Sequence, residues 1–106
     1  MKERRQKPRI PLILSTEVTE LTSGTTLRGR CSDLNITGCY IDTLHPSPKG
    51  EAILVKLVRP NGTFEAKGKV VYTSHRLGMG IQFDADIPEE QREILKQWLE
   101  EAEKAE

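Results

Sequence analysis

The segment CSDLNITGCYID, residues 31–42, places a polar loop between two stretches with the composition of β-strands. Its centre, residues 33–38, uses six residues where a two-residue Asn-Gly or Asp-Gly turn would close a hairpin. Asp33 offers two acceptor oxygens, and Asn35 offers a donor and an acceptor together. Gly38 allows a positive φ, so that the backbone can turn sharply and face a ligand. The segment therefore has two interpretations, an Asx-turn in a wide hairpin loop or a ligand-binding loop.

Alternating apolar and polar residues on both sides of this loop predict a small all-β fold. Strands are predicted over residues 12–21, 25–31, 39–43, 51–58, 63–73 and 77–83. Because their connections are short and contain no helix, they predict a six-stranded antiparallel β-barrel. One face of each of the last two strands is expected to point inward, with Phe64, Ala66, Gly68, Val70 and Tyr72 in the fifth and Leu77, Met79, Ile81 and Phe83 in the sixth.

The apolar period changes from two to that of a helix after Pro88. Apolar residues then form one stripe, and this stripe predicts a C-terminal α-helix over residues 88–104, with Trp98 on its buried face. Residues 1–9 are charged and lack an apolar period, which predicts a flexible basic arm. A length of 106 residues fits one domain, so residues 10–106 are expected to form a single barrel domain with its helix.

Charge and composition argue against several classes of function. Basic and acidic side chains number 16 each, so no overall field attracts DNA, RNA or anionic lipid. The charge is uneven, since residues 2–9 have five basic and one acidic residue and residues 88–106 have three basic and seven acidic. An RNA-binding barrel is disfavoured because the predicted strands show no exposed aromatic ladder. The sequence shows no export signal and no membrane span, so we expect a cytoplasmic protein without membrane insertion.

The cysteines and histidines do not predict an enzyme. Cys31 and Cys39 fit reduced, buried thiols, and no oxyanion-forming element accompanies them. His45 and His75 have no partner at metal-ligand spacing, so both are expected to be surface residues. We therefore expect no catalytic residue, no metal and no cofactor.

The predicted arm contains a second motif, Arg5-Gln-Lys-Pro-Arg9. Guanidinium groups bind phosphate oxygens and the O6 and N7 edge of guanine, and their planes stack on bases. Four extended residues separate the two groups by roughly 13 Å at most. Such a pair could embrace a compact dinucleotide.

Together, the two motifs resemble the PilZ domain family of bacterial receptors for cyclic di-GMP. The family pattern is Arg-x-x-x-Arg in an N-terminal arm, matched by Arg5 and Arg9, followed by Asp or Asn-x-Ser-x-x-Gly, matched by Asp33 and Gly38. The stretch from residue 77 to residue 83 resembles the family's closing strand, and the resemblance covers residues 4–102. The chain departs from the pattern at Asn35, where the family usually has serine.

The resemblance implies a PilZ-like barrel that binds cyclic di-GMP and relays its bound state to an unidentified effector protein. The implied ligand-binding residues are Arg4, Arg5, Arg9, Asp33, Asn35 and Gly38. Of these, Arg4 would stack on a second ligand molecule. The alternative is a PilZ-like adaptor that no longer binds the nucleotide, and Asn35 is the feature that points to it. We expect a monomer or a weak dimer in either case.

Overall fold

The computed structural model of this chain describes Ile13 and residues 15–104. Within these residues, six strands precede one helix: β1 (Ser15–Glu20), β2 (Thr26–Leu34), β3 (Gly38–Asp42), β4 (Ala52–Arg59), β5 (Gly62–Ser74), β6 (Gly78–Phe83) and α1 (Glu89–Lys104). The strands pair antiparallel and close in the order β1-β2-β3-β6-β5-β4. The predicted six-stranded barrel with a C-terminal helix is thereby confirmed.

The barrel interior is filled by alternate residues of the strands. In β4, Ile53, Val55 and Leu57 are fully buried, and in β5 Phe64 and Val70 are buried in the same core. Since successive side chains of a strand point to opposite faces, this alternation puts one face of each strand inside. Burial of that face supplies the main stabilising free energy of the barrel.

Helix α1 packs its apolar stripe against this core. It begins directly after Pro88, whose carbonyl accepts hydrogen bonds from the N–H groups of residues 91 and 92, both at 3.0 Å. Trp98 is buried, with its ring centroid 6.3 Å from that of Phe64 and 5.2 Å from Cζ of Arg59. Arg59 Nη1 also donates to Glu101 Oε1 at 2.8 Å. The predicted core position of Trp98 is confirmed.

The strands that flank the polar loop extend further into it than predicted. β2 continues to Leu34, which is 2% exposed and pairs with Cys39, and β3 begins at Gly38. A register shift between Cys31 and Asp33 accompanies this extension. Burial of Leu34 favours continued pairing of β2 with β3, although the residues before and after Leu34 are polar. Asp33 and Gly38 therefore lie in strands, and the loop itself has three residues.

Two predicted inward positions are wrong. Leu77 is 68% exposed, because it lies in a turn closed by its N–H group and the carbonyl of Ser74, at 2.9 Å, and β6 begins one residue later. Tyr72 is 52% exposed. A register shift between Val70 and Tyr72 places this tyrosine opposite Gly80, on the outer face of the barrel. Within the described ranges, no helix is both long and apolar enough to cross a membrane.

Candidate functional site

The loop between β2 and β3 is organised by the side chain of Asn35. Its Oδ1 accepts hydrogen bonds from the Thr37 N–H at 3.0 Å, the Thr37 hydroxyl at 2.9 Å and the Gly38 N–H at 3.1 Å. The backbone N–H of Asn35 donates to the Gly38 carbonyl at 2.9 Å. This is the Asx-turn that the sequence allowed. The loop is consequently held in one shape by its own hydrogen bonds.

The end of the loop is fixed to strand β6. The carbonyl of Thr37 accepts from the N–H of Phe83 at 2.9 Å, and Gly38 pairs with Gln82. A Cβ at Gly38 would overlap the carbonyl oxygen of Ile81. Among the described residues, the glycines with positive φ are at positions 24 and 50, so Gly38 does not use the positive φ that glycine allows. Glycine is needed here because two backbones approach closely.

Beside this loop, four residues lie opposite one another across neighbouring strands. Asp33 pairs with Tyr40, Tyr40 with Gly80, and Gly80 with Tyr72. The two tyrosine rings have centroids 6.0 Å apart and planes inclined by 30°. A Cβ at Gly80 would overlap the ring of Tyr72, so glycine makes room for the pair. A carboxylate and two aromatic rings thus lie in one row across the strands.

This row lies in an open depression of about 280 Å³. The side chains of Asp33 and Asn35 contribute to its lining, together with Tyr40, Tyr72 and the backbone around Gly38. A carboxylate accepts hydrogen bonds from the N1–H and N2–H₂ groups of guanine, and aromatic faces stack on bases of any sequence. The depression therefore combines the two kinds of contact that a guanine nucleotide needs.

Sequence reasoning missed the two tyrosines of this site. A strict alternation along β5 assigns Tyr72 to the same face as Val70, and the register shift reverses that assignment. The available signal was the Gly-x-Gly pattern of β6, because a glycine on an outer face leaves space for large neighbours. The structure thus adds a tyrosine pair, with Tyr72 exposed and Tyr40 half-buried, where no aromatic surface was expected.

Two free thiols lie beneath the loop, as predicted. Cys31 and Cys39 are buried, and Cys31 Sγ donates to the Asp33 carbonyl at 3.5 Å. The pKa of the Cys39 thiol is raised well above its usual range by a hydrogen bond with Cys31 and by burial. A thiol that stays protonated is a poor nucleophile. Cys39 packs in the hydrophobic core of the barrel.

The predicted site residues fall into two groups. Asp33, Asn35 and Gly38 lie together at the β2–β3 loop. The predicted contacts of Arg4, Arg5 and Arg9, and the predicted flexible arm over residues 1–9, lie outside the described residues. The two histidines are exposed in connecting segments, and the part of the chain that is described contains no cluster of three potential metal ligands.

Comparison with known proteins agrees with the barrel and its helix. The solved structures with a similar fold include the crystal structure of the PilZ domain of CeSA from a cellulose synthesizing bacterium. It is 15% identical to this chain, covers 88% of this chain and 95% of its own, and superposes with a TM-score of 0.67. At this identity the likeness establishes the fold alone. No curated protein matches the chain significantly.

The family comparison is more specific, because it tests the sequence pattern along the whole chain. The model of the PilZ domain matches residues 3–101, which include the Arg-x-x-x-Arg segment, the β2–β3 loop, the closing strand and most of the helix. The chain belongs to the PilZ domain family.

Proposed function

We propose that this chain is a cytoplasmic receptor for cyclic di-GMP that relays its bound state to an effector protein. PilZ domains form a family of cyclic di-GMP receptors. The observation that carries the proposal is the row of Asp33, Tyr40 and Tyr72 beside a loop that is already organised. A preformed loop lowers the ordering cost of binding, because its shape does not have to be created by the ligand.

In this proposal each residue type has a separate role at the ligand. Asp33 accepts hydrogen bonds from the Watson–Crick edge of one guanine, and a tyrosine ring stacks on its face. Oδ1 of Asn35 accepts hydrogen bonds within the loop, and its amide nitrogen remains as a donor for the ligand. Gly38 keeps the loop close to β6. The binding surface is therefore built from β2, β3, β5 and β6 together.

The phosphates need positive groups that the depression itself does not supply. Its volume of about 280 Å³ falls at the lower limit of ligand pockets, which span roughly 300–1,000 Å³. We propose that Arg5 and Arg9 form the opposite wall and bind the phosphates and guanine edges. Arg4 stacks on a second ligand molecule. Two charge-assisted contacts to one doubly charged ligand are the strongest that the chain can offer.

A second candidate function is a PilZ adaptor that acts by protein contact alone. PilZ proteins that do not bind the nucleotide exist. The observation that favours this function is the engagement of Asn35 Oδ1 in three hydrogen bonds at the position where the family usually has serine. An oxygen used in this way is not available to a ligand. In either function the domain binds a partner and makes or breaks no bond.

Calorimetric titration with cyclic di-GMP separates the two functions. We expect saturable binding that is tighter than that of GTP. It should also be tighter than that of cyclic di-AMP, because adenine lacks the donors that suit Asp33. Arg9→Ala should weaken binding by roughly 2–4 kcal/mol, since a charge-assisted contact is lost. Absence of heat at high micromolar ligand, with the chain folded by circular dichroism, would support the adaptor instead.

A further inference from the structure

Two exposed leucines form an apolar patch at the β5–β6 turn. Leu44 and Leu77 are each 68% exposed, the largest exposed fractions among the big hydrophobic side chains of the described residues. The N–H of Thr43 donates to the carbonyl of Leu77 at 3.1 Å, which ties the two segments together. The two leucines therefore lie on adjoining segments and line the same depression. We call Leu44, Leu77 and the adjoining Arg76 the leucine patch.

Arg76 gives this patch a positive charge. Its φ is 62°, in the left-handed region that favours glycine, so the turn holds an arginine in an unfavourable backbone conformation. The structure gives Arg76 no carboxylate within ion-pair distance among residues 13 and 15–104. Arg76 is exposed and lines the same depression as the two leucines.

Two charged residues beside the patch, Arg30 and Asp42, form an ion pair with each other. Arg30 donates to Oδ2 of Asp42 from Nε at 3.2 Å and from Nη2 at 3.0 Å. The hydroxyl of Ser32 donates to the other oxygen of Asp42 at 2.9 Å. Because the carboxylate of Asp42 already accepts from Arg30 and Ser32, Arg76 is the charge of the patch that is left available to a carboxylate of a partner.

These residues line an open depression of about 520 Å³. Tyr40 contributes to its wall and also lines the depression at the β2–β3 loop. The two depressions are consequently neighbours that share one side chain. A partner seated in one would touch the rim of the other.

We propose that the leucine patch is a docking surface for a partner protein. The fitting segment places apolar side chains on Leu44 and Leu77 and a carboxylate on Arg76. Charge complementarity favours such an acidic, apolar segment, because one guanidinium without an ion-pair partner among the described residues lines the same depression as two exposed leucines. A nucleic acid fits poorly, since the chain has no net charge and Asp42 forms part of the wall. The proposal does not depend on nucleotide binding.

The test titrates the isotopically labelled full chain, without nucleotide, with a synthetic peptide of alternating leucine and glutamate. Two matched peptides replace leucine by serine or glutamate by lysine. We expect amide shifts at residues 42–45 and 75–78 with the first peptide, and binding weaker by about tenfold with the other two. No shift, shifts elsewhere, or equal binding of the three peptides would overturn the proposal.

Substitutions in the chain complete the test. Leu77→Ser and Arg76→Gly should each weaken peptide binding by about tenfold. Glycine suits the backbone of position 76, so that variant should fold. The control is Leu21→Ser, which removes a leucine that is 45% exposed in the β1–β2 turn and should leave binding unchanged. If the wild type binds phosphatidylglycerol vesicles and Leu77→Ser does not, the patch binds a membrane and the proposal of a partner protein is wrong. If the wild type self-associates and Leu77→Ser does not, the patch binds a second copy of the chain and the proposal is equally wrong.

Discussion

At the residue scale, Asn35 shapes the β2–β3 loop through one oxygen atom that accepts three hydrogen bonds. Each such bond contributes about 0.5–1.5 kcal/mol in a typical protein. A serine hydroxyl also carries an acceptor oxygen, so both residue types are able to organise a loop of this kind. The departure from the family pattern thus changes how the loop is held. In the proposed complex, Asp33 and the tyrosine pair are the residues that recognise a base.

Tyr72→Ala should weaken binding of cyclic di-GMP by about 1–3 kcal/mol, because stacking on a base is lost. The fold should survive, since the Tyr72 side chain is half-exposed on the outer face. Tyr72→Phe is the matched control and should bind like the wild type, because stacking requires the ring and not the hydroxyl. Calorimetric titration measures both variants. Equal affinities of the alanine variant and the wild type would remove Tyr72 from the site.

At the element scale, strand β6 is the common neighbour of the strands that form the site. It pairs with β3 on one side and β5 on the other, and the loop end at Thr37 bonds to its last residue, Phe83. Close approach at Gly38 makes the spacing of β3 and β6 sensitive to one methyl group. The geometry of the loop therefore depends on the fit between these two strands.

Gly38→Ala should destabilise the domain by about 1–3 kcal/mol, because the added Cβ meets the backbone of Ile81 and not a movable side chain. Gly62→Ala is the control, since nothing lies within 4 Å of the Cβ it would add. Urea unfolding followed by circular dichroism gives both free energies. Similar values for the two variants would contradict the close approach of β3 and β6.

A second connection between elements joins β1 to the segment before β4. Oε2 of Glu20 accepts from the Ser47 hydroxyl at 2.6 Å, and its Oε1 accepts from the Ser23 hydroxyl at 2.8 Å. The carbonyl of Ser47 accepts from the Thr73 hydroxyl at 2.8 Å, which extends the connection to β5. The hydrogen bond from Ser47, followed by that from Ser23, lowers the pKa of Glu20. The charged form is therefore the one that holds these elements together.

This connection predicts a pH-dependent contribution to stability. Because the pKa of Glu20 is lower in the folded than in the unfolded chain, its contribution is complete above the unfolded value of about 4.3 and is lost as the pH falls through the folded value. Glu20→Gln should therefore lower the melting temperature near neutral pH, and the difference from wild type should vanish in acid. Glu103→Gln, on the exposed face of α1, is the control. A difference that stays constant with pH would contradict this role.

At the scale of the whole molecule, the period of the apolar residues was enough to predict the barrel and its helix. The resemblance to the PilZ family, and not the apolar period, grouped Asp33, Asn35 and Gly38 as ligand-binding residues, and the structure brings the three together at the β2–β3 loop. The tyrosine pair could not be predicted in this way, because the register shift between Val70 and Tyr72 depends on how β5 pairs with β6 after closure. The burial of Leu34 and the exposure of Leu77 likewise depend on pairing and on a turn. A local pattern does not encode these shifts.

Barrel closure also brings the two candidate surfaces together. Tyr40 lines both depressions, one beside the β2–β3 loop and the other beside the leucine patch. Residues that are far apart in sequence, such as Asn35 and Tyr72, thereby reach the same surface. The barrel thus provides one scaffold on which a nucleotide and a partner protein would bind side by side.

The most direct test of the account is an amide chemical-shift map of the labelled chain with and without cyclic di-GMP. The account predicts the largest changes at residues 33–40, at Tyr72 and at residues 80–82, with little change along α1. Asp33→Asn, which removes the negative charge but keeps the size of the side chain, should greatly reduce these changes. An unchanged spectrum at saturating nucleotide, or changes concentrated on α1, would contradict a cyclic di-GMP site at the β2–β3 loop.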